Sequence, residues 1–524
     1  MLSVTLDRYY RTLQKRLTVR KALLCLVFFL FLFAKIILRL NECPAKETTV
    51  NNEKEKTVLR FVLHGDNVDS GYLKHVMAVL KRLGYQRANY TKDFDLLWSH
   101  VYPFGELSPF DKPFFRNLQP YQKVNHFPGS GYFTNKVDLA VSQLKHVPRA
   151  FQIPSQKAQL LEHASKNPNL LFVQKSNSHR GIKILKVEDM NLDLPGTFVQ
   201  EFVHNPFLID GLKFDIGVYT VLTSVDPLRV YIYNGDVLLR FCAKEYEPFD
   251  PDDVDKYVVG DDYIPIWEVP SLMKSYNDRK FGMMETLNNY VRKIGRYLVW
   301  SSCRPALTES KPRRLFSGMK PSKIWSQIEE SIVAVLLAKE EKISNIMKRY
   351  KNVGNFFEMV RFDFIIDADL NVYLMEANMS PNLSSDHFRP NRLLYENVLF
   401  GLFSLVGVGK RTDYLKPSTR EEEQMEVPEK GLMVFGDECS SNGCNNCGGP
   451  QCALCKHCLT PQNLRTLKHS YLEHINKADY KRIFPPKMNP KTRVEDIDLE
   501  SYTPENRFMV LWFLGKCHQD RSWC

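Results

Sequence analysis

The stretch Phe356–Leu383, FFEMVRFDFIIDADLNVYLMEANMSPNL, constrains the fold more than any other. Two runs rich in apolar and β-favouring residues flank Asp369-Leu370, which predicts an antiparallel hairpin turning at that pair. With the turn there, Asp363 falls directly opposite Glu376, on one face, with Cβ atoms ~4.5–5.5 Å apart. The flanking Phe362, Phe364, Leu374 and Met375 favour burial, where unpaired carboxylates are costly. A proton or a hard cation relieves that cost, and oxygen ligands suit Mg²⁺. Asn378, two residues past Glu376, adds a third oxygen ligand from the same side. A hairpin whose acids simply face water satisfies the same pattern.

Two other segments place lysines at strand positions. In Leu212–Leu222, LKFDIGVYTVL, the alternation puts Lys213, Asp215, Gly217 and Tyr219 on one face and Leu212, Phe214, Ile216 and Val218 on the other. Such a strand lines a cleft, with Lys for phosphate oxygens and Asp for a polar group or cation. A half-exposed edge strand reads the same way. Lys175 ends the apolar run LLFVQK and precedes SNSHRGI, a polar loop whose backbone N–H groups and lysine can share a phosphate. The spacing is not that of a Walker-type phosphate loop. RVYIYNGDVLLRF, Arg229–Phe241, predicts a second hairpin with a type I′ turn at Asn234-Gly235, and Arg240 at its end is a candidate anion ligand.

The net charge of +11 is unevenly spread. Arg8, Arg11, Lys15, Arg16, Arg20 and Lys21 stand against Asp7, so the N-terminal tail holds five of those charges. The remainder is compatible with an acidic polypeptide partner and gives no support to a nucleic-acid role. Residues 22–40 run ALLCLVFFLFLFAKIILRL, close to the ~20 residues that cross a bilayer as a helix. No small-x-small cleavage site precedes Asn41, so the segment reads as an uncleaved signal anchor. The basic flank predicts a single-pass type II arrangement: tail in the cytoplasm, body in the lumen or outside.

Eight of the twelve Cys lie after residue 438: Cys439, Cys444, Cys447, Cys452, Cys455, Cys458, Cys517 and Cys524. In a cytosolic protein, Cys447, Cys452, Cys455 and Cys458 with His457 nearby would read as zinc ligands. In an oxidising lumen the even count favours disulfides, which the anchor orientation makes the preferred reading, with the pairing open. Sequons occur at Asn89, Asn378 and Asn382.

Taken together, NHFPGS (Asn125–Ser130), QKSNSHRGI (Gln174–Ile182), VQEFVHNPFLIDGLKFD (Val199–Asp215), Arg240 and VRFDFIIDADLNVYLMEANMSPNL (Val360–Leu383) resemble the motifs of the tubulin–tyrosine ligase-like family, whose fold is similar to that of ATP-grasp ligases. The resemblance covers roughly residues 58–405 and is nearest in character to divergent, membrane-anchored, polyglutamylase-like members. It implies an ATP-dependent ligase that activates a carboxylate as an acyl phosphate and joins free glutamate to it, in acidic tubulin tails or another acidic polypeptide. It also implies roles. Lys213, Asp215 and Arg240 are catalytic, with Arg240 on the intermediate or the incoming amino acid. Lys175 and Lys213 hold ATP phosphates, Gln200, Glu201 and Phe202 border the adenine, and Arg180, Gly181, Ile182, Val203 and Asp215 complete the implied cofactor-binding set. Asp363, Glu376 and Asn378 hold Mg²⁺, or Mn²⁺ in its place.

The expected class is therefore α/β (α+β): an ATP-grasp-like ligase body between an N-terminal transmembrane helix and a Cys-rich C-terminal module. The expected order is a basic tail 1–21, an anchor 22–40, a stalk 41–57, an α/β domain 58–150, an ATP-grasp-like catalytic domain 151–412, a linker 413–438 and the Cys-rich module 439–524. Two departures bear on activity. The family usually has Arg two residues after the Asp of its KFD motif, where Gly217 stands here. Loss of one such cation costs about 10²–10³-fold in rate. The family's HLTN segment is also replaced, by the acidic Lys244–Tyr263. A nucleotide-binding membrane adaptor without ligation, or a ligase for a luminal acceptor other than tubulin, are the alternatives.

Overall fold

The computed structural model describes residues 58–524, apart from 107, 109, 177–181, 303–319 and 410–423. The basic tail, the apolar segment 22–40, the stalk, and Arg180 and Gly181 thus lie outside the described residues. Among the described residues, no helix is long and apolar enough to cross a membrane.

Four parallel strands come first: β1 (Arg60–His64), β2 (Gln86–Arg87), β3 (Leu96–Ser99) and β4 (Lys123–Val124), in the order β2-β1-β3-β4. Helix Lys74–Arg82 buries Val76, Val79 and Leu80 against them, and Gly84 follows at φ +89°, the left-handed conformation of a helix cap. A second sheet is antiparallel: β5 (Ala150–Ile153), β6 (Phe172–Ser176), β7 (Lys183–Leu185) and β8 (Thr197–Glu201), ordered β5-β8-β6-β7. Leu160 of helix Lys157–Lys166 closes its back with Phe151, Ile153, Phe172 and Val199.

The third sheet is built on β9 (Phe214–Val225). Its neighbours are β10 (Leu228–Tyr233), β11 (Leu238–Phe241), β12 (Ile264–Pro265), β13 (Glu358–Ile366), β14 (Val372–Asn378) and β15 (Tyr480–Phe484). Strand β13 covers one edge of β9 from Ile216 to Leu222. Both β10 and β11 pair with β9 over residues that β13 also covers, so they lie end to end along the opposite edge. The hairpin expected at Asn234-Gly235 is therefore corrected: the two runs never pair with each other. The local turn signal is overridden because β9 is long enough to take both runs as partners. The Asn234-Gly235 pair instead falls in the break between them. Asp236 in that break accepts bonds from Met283 and Met284 N–H groups at 3.0 and 2.8 Å and so caps the helix Met283–Ser302. The edge-strand alternative for β9 also falls, since it is buried on both faces.

The Ile324, Ile328, Ile332, Val335 and Leu336 stripe of helix Pro321–Met347 is buried and packs on this sheet. The C-terminal stretch joins it too. Strand β15 pairs with β10, and Glu473 accepts from Arg229 Nε (2.9 Å) and Nη2 (3.0 Å) and from Tyr231 (3.1 Å). The cysteines are joined as Cys439–Cys455, Cys444–Cys452, Cys447–Cys458 and Cys517–Cys524. With Cys447, Cys452, Cys455 and Cys458 all in disulfides, the zinc alternative loses all four of its thiolates.

The motif Asn125–Ser130 meets the start of β13 in a buried latch. His126 Nδ1 lies 2.6 Å from Glu358 Oε1, and Phe127 N–H donates to Glu358 Oε2 at 2.8 Å. This ties the loop after the parallel sheet to the start of β13.

Candidate functional site

The carboxylate pair depends on a bulge. The β13–β14 ladder ends at Ile366 opposite Val372, and residues 367–371 make the turn, with Leu370 at φ +61°. The expected two-residue turn at Asp369-Leu370 is thus replaced by a longer connection. A regular ladder continued from the Ile366–Val372 pair would set Met375 against Asp363. The register shifts between Asp363 and Phe364, Met375 is the extra residue, and Glu376 is brought opposite Asp363.

These acids face a cavity of about 1220 Å³ between the second and third sheets. Lys175, Ser176, Ile182, Glu201, Phe202 and Val203 line it from the second sheet and the segments that continue it. Lys213, Asp215, Arg240, Asp363, Glu376 and Asn378 line it from the third. The expected site residues that lie within the described chain are thereby gathered around one space, with one exception. Gln200 is not among the lining residues: its Oε1 accepts from Lys175 Nζ at 3.1 Å and its Nε2 donates to Pro148 O at 3.1 Å. It holds the lysine rather than bordering the cavity. Glu201 lines the cavity, and its carboxylate pairs with His163 Nε2 at 2.6 Å.

At the third-sheet wall the charges interlock. Arg240 Nε and Nη2 donate to Asp215 at 2.9 and 2.6 Å, and Nη2 also reaches Asp363 Oδ2 at 3.0 Å. Arg361 Nε and Nη2 donate to Asp363 at 2.6 and 2.7 Å. Asn378 Nδ2 donates to Asp363 Oδ2 (3.0 Å) and Glu376 Oε1 (2.9 Å). Lys136 Nζ stands 3.1 Å from Glu376 Oε2. Burial pushes the Asp215 carboxyl up to about 6, with Arg240 opposing and the Asp363 charge adding to the rise. Burial pushes Glu376 up as well, but Lys136 and the Asn378 amide outweigh it and bring the carboxyl down to about 2. Lys175 is brought down to about 8 by burial, helped by the neighbouring Lys213 charge. Lys213 is lowered too, by burial, while Cys242 and Asp215 oppose the shift. Its Nζ donates to Tyr257 O at 2.6 Å and lies 5.5 Å from the Phe202 ring centroid.

The donor set fits a hard divalent ion. Two carboxylates and one amide converge, and the Asn378 amide nitrogen stands between the acids where such an ion would bind them. Turning that amide over presents its oxygen and completes an oxygen-only set suited to Mg²⁺ or Mn²⁺. Lys175 on the second-sheet side and Lys213 on the third-sheet side are suited to polyphosphate oxygens.

Lys136 and Arg361 were not anticipated. Arg361 shares a strand face with Asp363, a signal that period-two alternation carries. Lys136 sits on the short helix Lys136–Ala140, remote in sequence from Glu376, and no local pattern announces it. The acidic segment Lys244–Tyr263 also reaches the cavity, with Tyr257 to Tyr263 at its rim.

The sequence profile of the tubulin-tyrosine ligase family matches residues 115–314 and 307–413. The chain is 41% identical over 473 residues to a protein of Caenorhabditis elegans named as a probable tubulin polyglutamylase, covering 88% of this chain and 85% of that one. It is 28% identical over 291 residues to a tubulin monoglutamylase of Mus musculus, which spans 52% of this chain and 22% of that protein. It is 25% identical over 363 residues to a tubulin polyglutamylase of Homo sapiens, spanning 66% of this chain and 26% of that protein.

Proposed function

Because the chain belongs to the tubulin-tyrosine ligase family, we propose that it is an ATP-dependent glutamate ligase that extends side-chain carboxylates of an acidic polypeptide. The observation that carries this is the single cavity on which Lys175 and Lys213, Arg240, and the Asp363, Glu376 and Asn378 set converge. The three relatives are all named as tubulin glutamylases.

Lys175 and Lys213 hold the ATP phosphates, with the backbone of Glu201 to Val203 and the Phe202 ring beside the base. Asp363, Glu376 and Asn378 hold Mg²⁺, which supplies charge neutralisation at the transferring phosphoryl group. The acceptor carboxylate takes the γ-phosphoryl group and ADP leaves. The amine of glutamate then attacks the acyl phosphate, phosphate leaves with the C–O bond electrons, and the amine proton is lost. Arg240, fixed by Asp215 at two points, faces the anionic intermediate. Most of the acceleration is positioning and electrostatics.

The segment 22–40 anchors the protein as a single-pass, type II membrane protein with its body in the lumen. Four disulfides support that reading, since they persist in oxidising compartments. They also favour a luminal acidic acceptor over cytosolic tubulin. A second reading, a nucleotide-binding adaptor that does not ligate, draws on the Lys244–Tyr263 segment, which brings Asp261 and Asp262 to the cavity.

The test is ATP-dependent transfer of labelled glutamate by the full-length, detergent-solubilised protein, with tubulin and luminal extracts as acceptors. Incorporation supports the ligase. Tight Mg·ATP binding without incorporation into either acceptor supports the adaptor and sinks the ligase.

A further inference from the structure

Position 217 holds glycine for space, not for backbone conformation: its φ is not in the left-handed range. Gly217 on β9 pairs with Asp363 on β13, and the next pair but one sets Tyr219 against Arg361. A Cβ at 217 would stand 3.0 Å from Arg361 Cδ, 3.4 Å from its Cγ and 3.3 Å from Asp363 Oδ1. The stem of Arg361 therefore lies across the place a side chain at 217 would take. Residues 217 and 361 compete for one volume, and this chain fills it from β13 instead of β9.

Arg361 is 6% exposed and lines the cavity. Among the described residues it hydrogen-bonds to Asp363 alone, through Nε and Nη2. That leaves Nη1 of the guanidinium fork for an anion. With Arg240 also on Asp363 and Asp215, the two acids are matched by two guanidinium groups before Glu376 is counted.

We propose that Arg361 supplies from β13 the cation that position 217 lacks, fixing Asp363 and offering Nη1 to the phosphoryl or acyl-phosphate group in the cavity. This rests on the ligase reading above. It also alters the expectation drawn from Gly217: the charge is moved to the adjacent strand rather than lost from the site.

The experiment compares full-length wild-type protein with Arg361→Gly, Arg361→Lys and the double exchange Arg361→Gly/Gly217→Arg, reading Mg·ATP affinity by calorimetry and glutamate turnover. Arg361→Gly should lower turnover by about 10²–10³-fold and Mg·ATP affinity by about 10–100-fold, as for loss of a hydrogen bond to a charged group. Arg361→Lys keeps the charge but not the fork and should recover only part of the loss. The double exchange should regain affinity and turnover to within about tenfold of wild type, because the emptied volume admits Arg at 217. Recovery in the double exchange separates a charge role from a packing role. Normal turnover and affinity in Arg361→Gly, or a double exchange no better than Arg361→Gly, overturns the assignment. Wild-type protein that binds no Mg·ATP overturns the nucleotide reading and this inference with it, a failure visible before any variant is made.

Discussion

Asp363 lies opposite Glu376 across β13 and β14, and one amide nitrogen, Asn378 Nδ2, donates to both at 3.0 and 2.9 Å. Both acids are set among side-chain cations: Asp363 accepts from Arg240 and Arg361, and Lys136 holds Glu376 ionised. Asp363→Ala and Glu376→Ala should each abolish Mg·ATP binding, with affinity lost by more than about 100-fold. Calorimetry with Mg·ATP checks this. A variant that binds like wild type refutes the metal assignment.

Lys175 gives the site a pH signature. Burial, then the Lys213 charge, brings its pKa to about 8 in the free protein. A bound phosphate favours the protonated amine, so above pH 8 nucleotide binding must take up a proton. Affinity for Mg·ATP should be flat below pH 8 and fall by up to about tenfold per pH unit above it. Lys175→Arg, charged throughout, should make the decline shallower, leaving only the part that Lys213 contributes. Measured dissociation constants from pH 7 to 9.5 decide, and a profile flat to pH 9.5 in wild type contradicts the reading.

The latch between His126 and Glu358 is structural. Both side chains are essentially inaccessible and 2.6 Å apart, and Phe127 N–H adds a second tie. Removing Glu358 leaves the buried Phe127 N–H and the His126 ring nitrogen without their partner, at a cost of about 1–3 kcal/mol for each. Glu358→Ala should therefore lose that much stability in urea unfolding. A variant destabilised by less than 1 kcal/mol on the same scale would show the latch to be dispensable.

Which parts of this were legible in the sequence follows from the range of each signal. Period-two alternation is local, so Lys213 and Asp215 on one strand face, and Asp363 with Asn378 and Glu376, could be read from residue spacing. The pairing of Asp363 with Glu376 came from a turn position that was off by part of a turn, and the bulge at Met375 restores it. Turn chemistry at Asn234-Gly235 failed because the partner of both flanking runs, β9, lies outside the window that shows the turn. The bonds of the Gln200 amide to Lys175 and Pro148 likewise need the folded register. The meeting of Gly217 with Arg361, and of Lys136 with Glu376, needs the folded register and had no local trace.

The proposed anchor and the disulfides make one prediction together. Asn89 is exposed and begins a sequon. In cells, the full-length protein should carry a glycan there, lost as a gel-mobility shift on glycosidase treatment and absent in Asn89→Gln. A chain with no glycan and reduced cysteines would place the body in the cytosol and restore tubulin as the acceptor.

The most direct test of the ligase is the fate of one oxygen atom. An acyl-phosphate route transfers an acceptor carboxylate oxygen to phosphate when the amine attacks. With an ¹⁸O-labelled acceptor carboxylate, the account predicts one labelled oxygen in each phosphate released with glutamate incorporation. Unlabelled phosphate, or ATP hydrolysis with no glutamate joined, would contradict it.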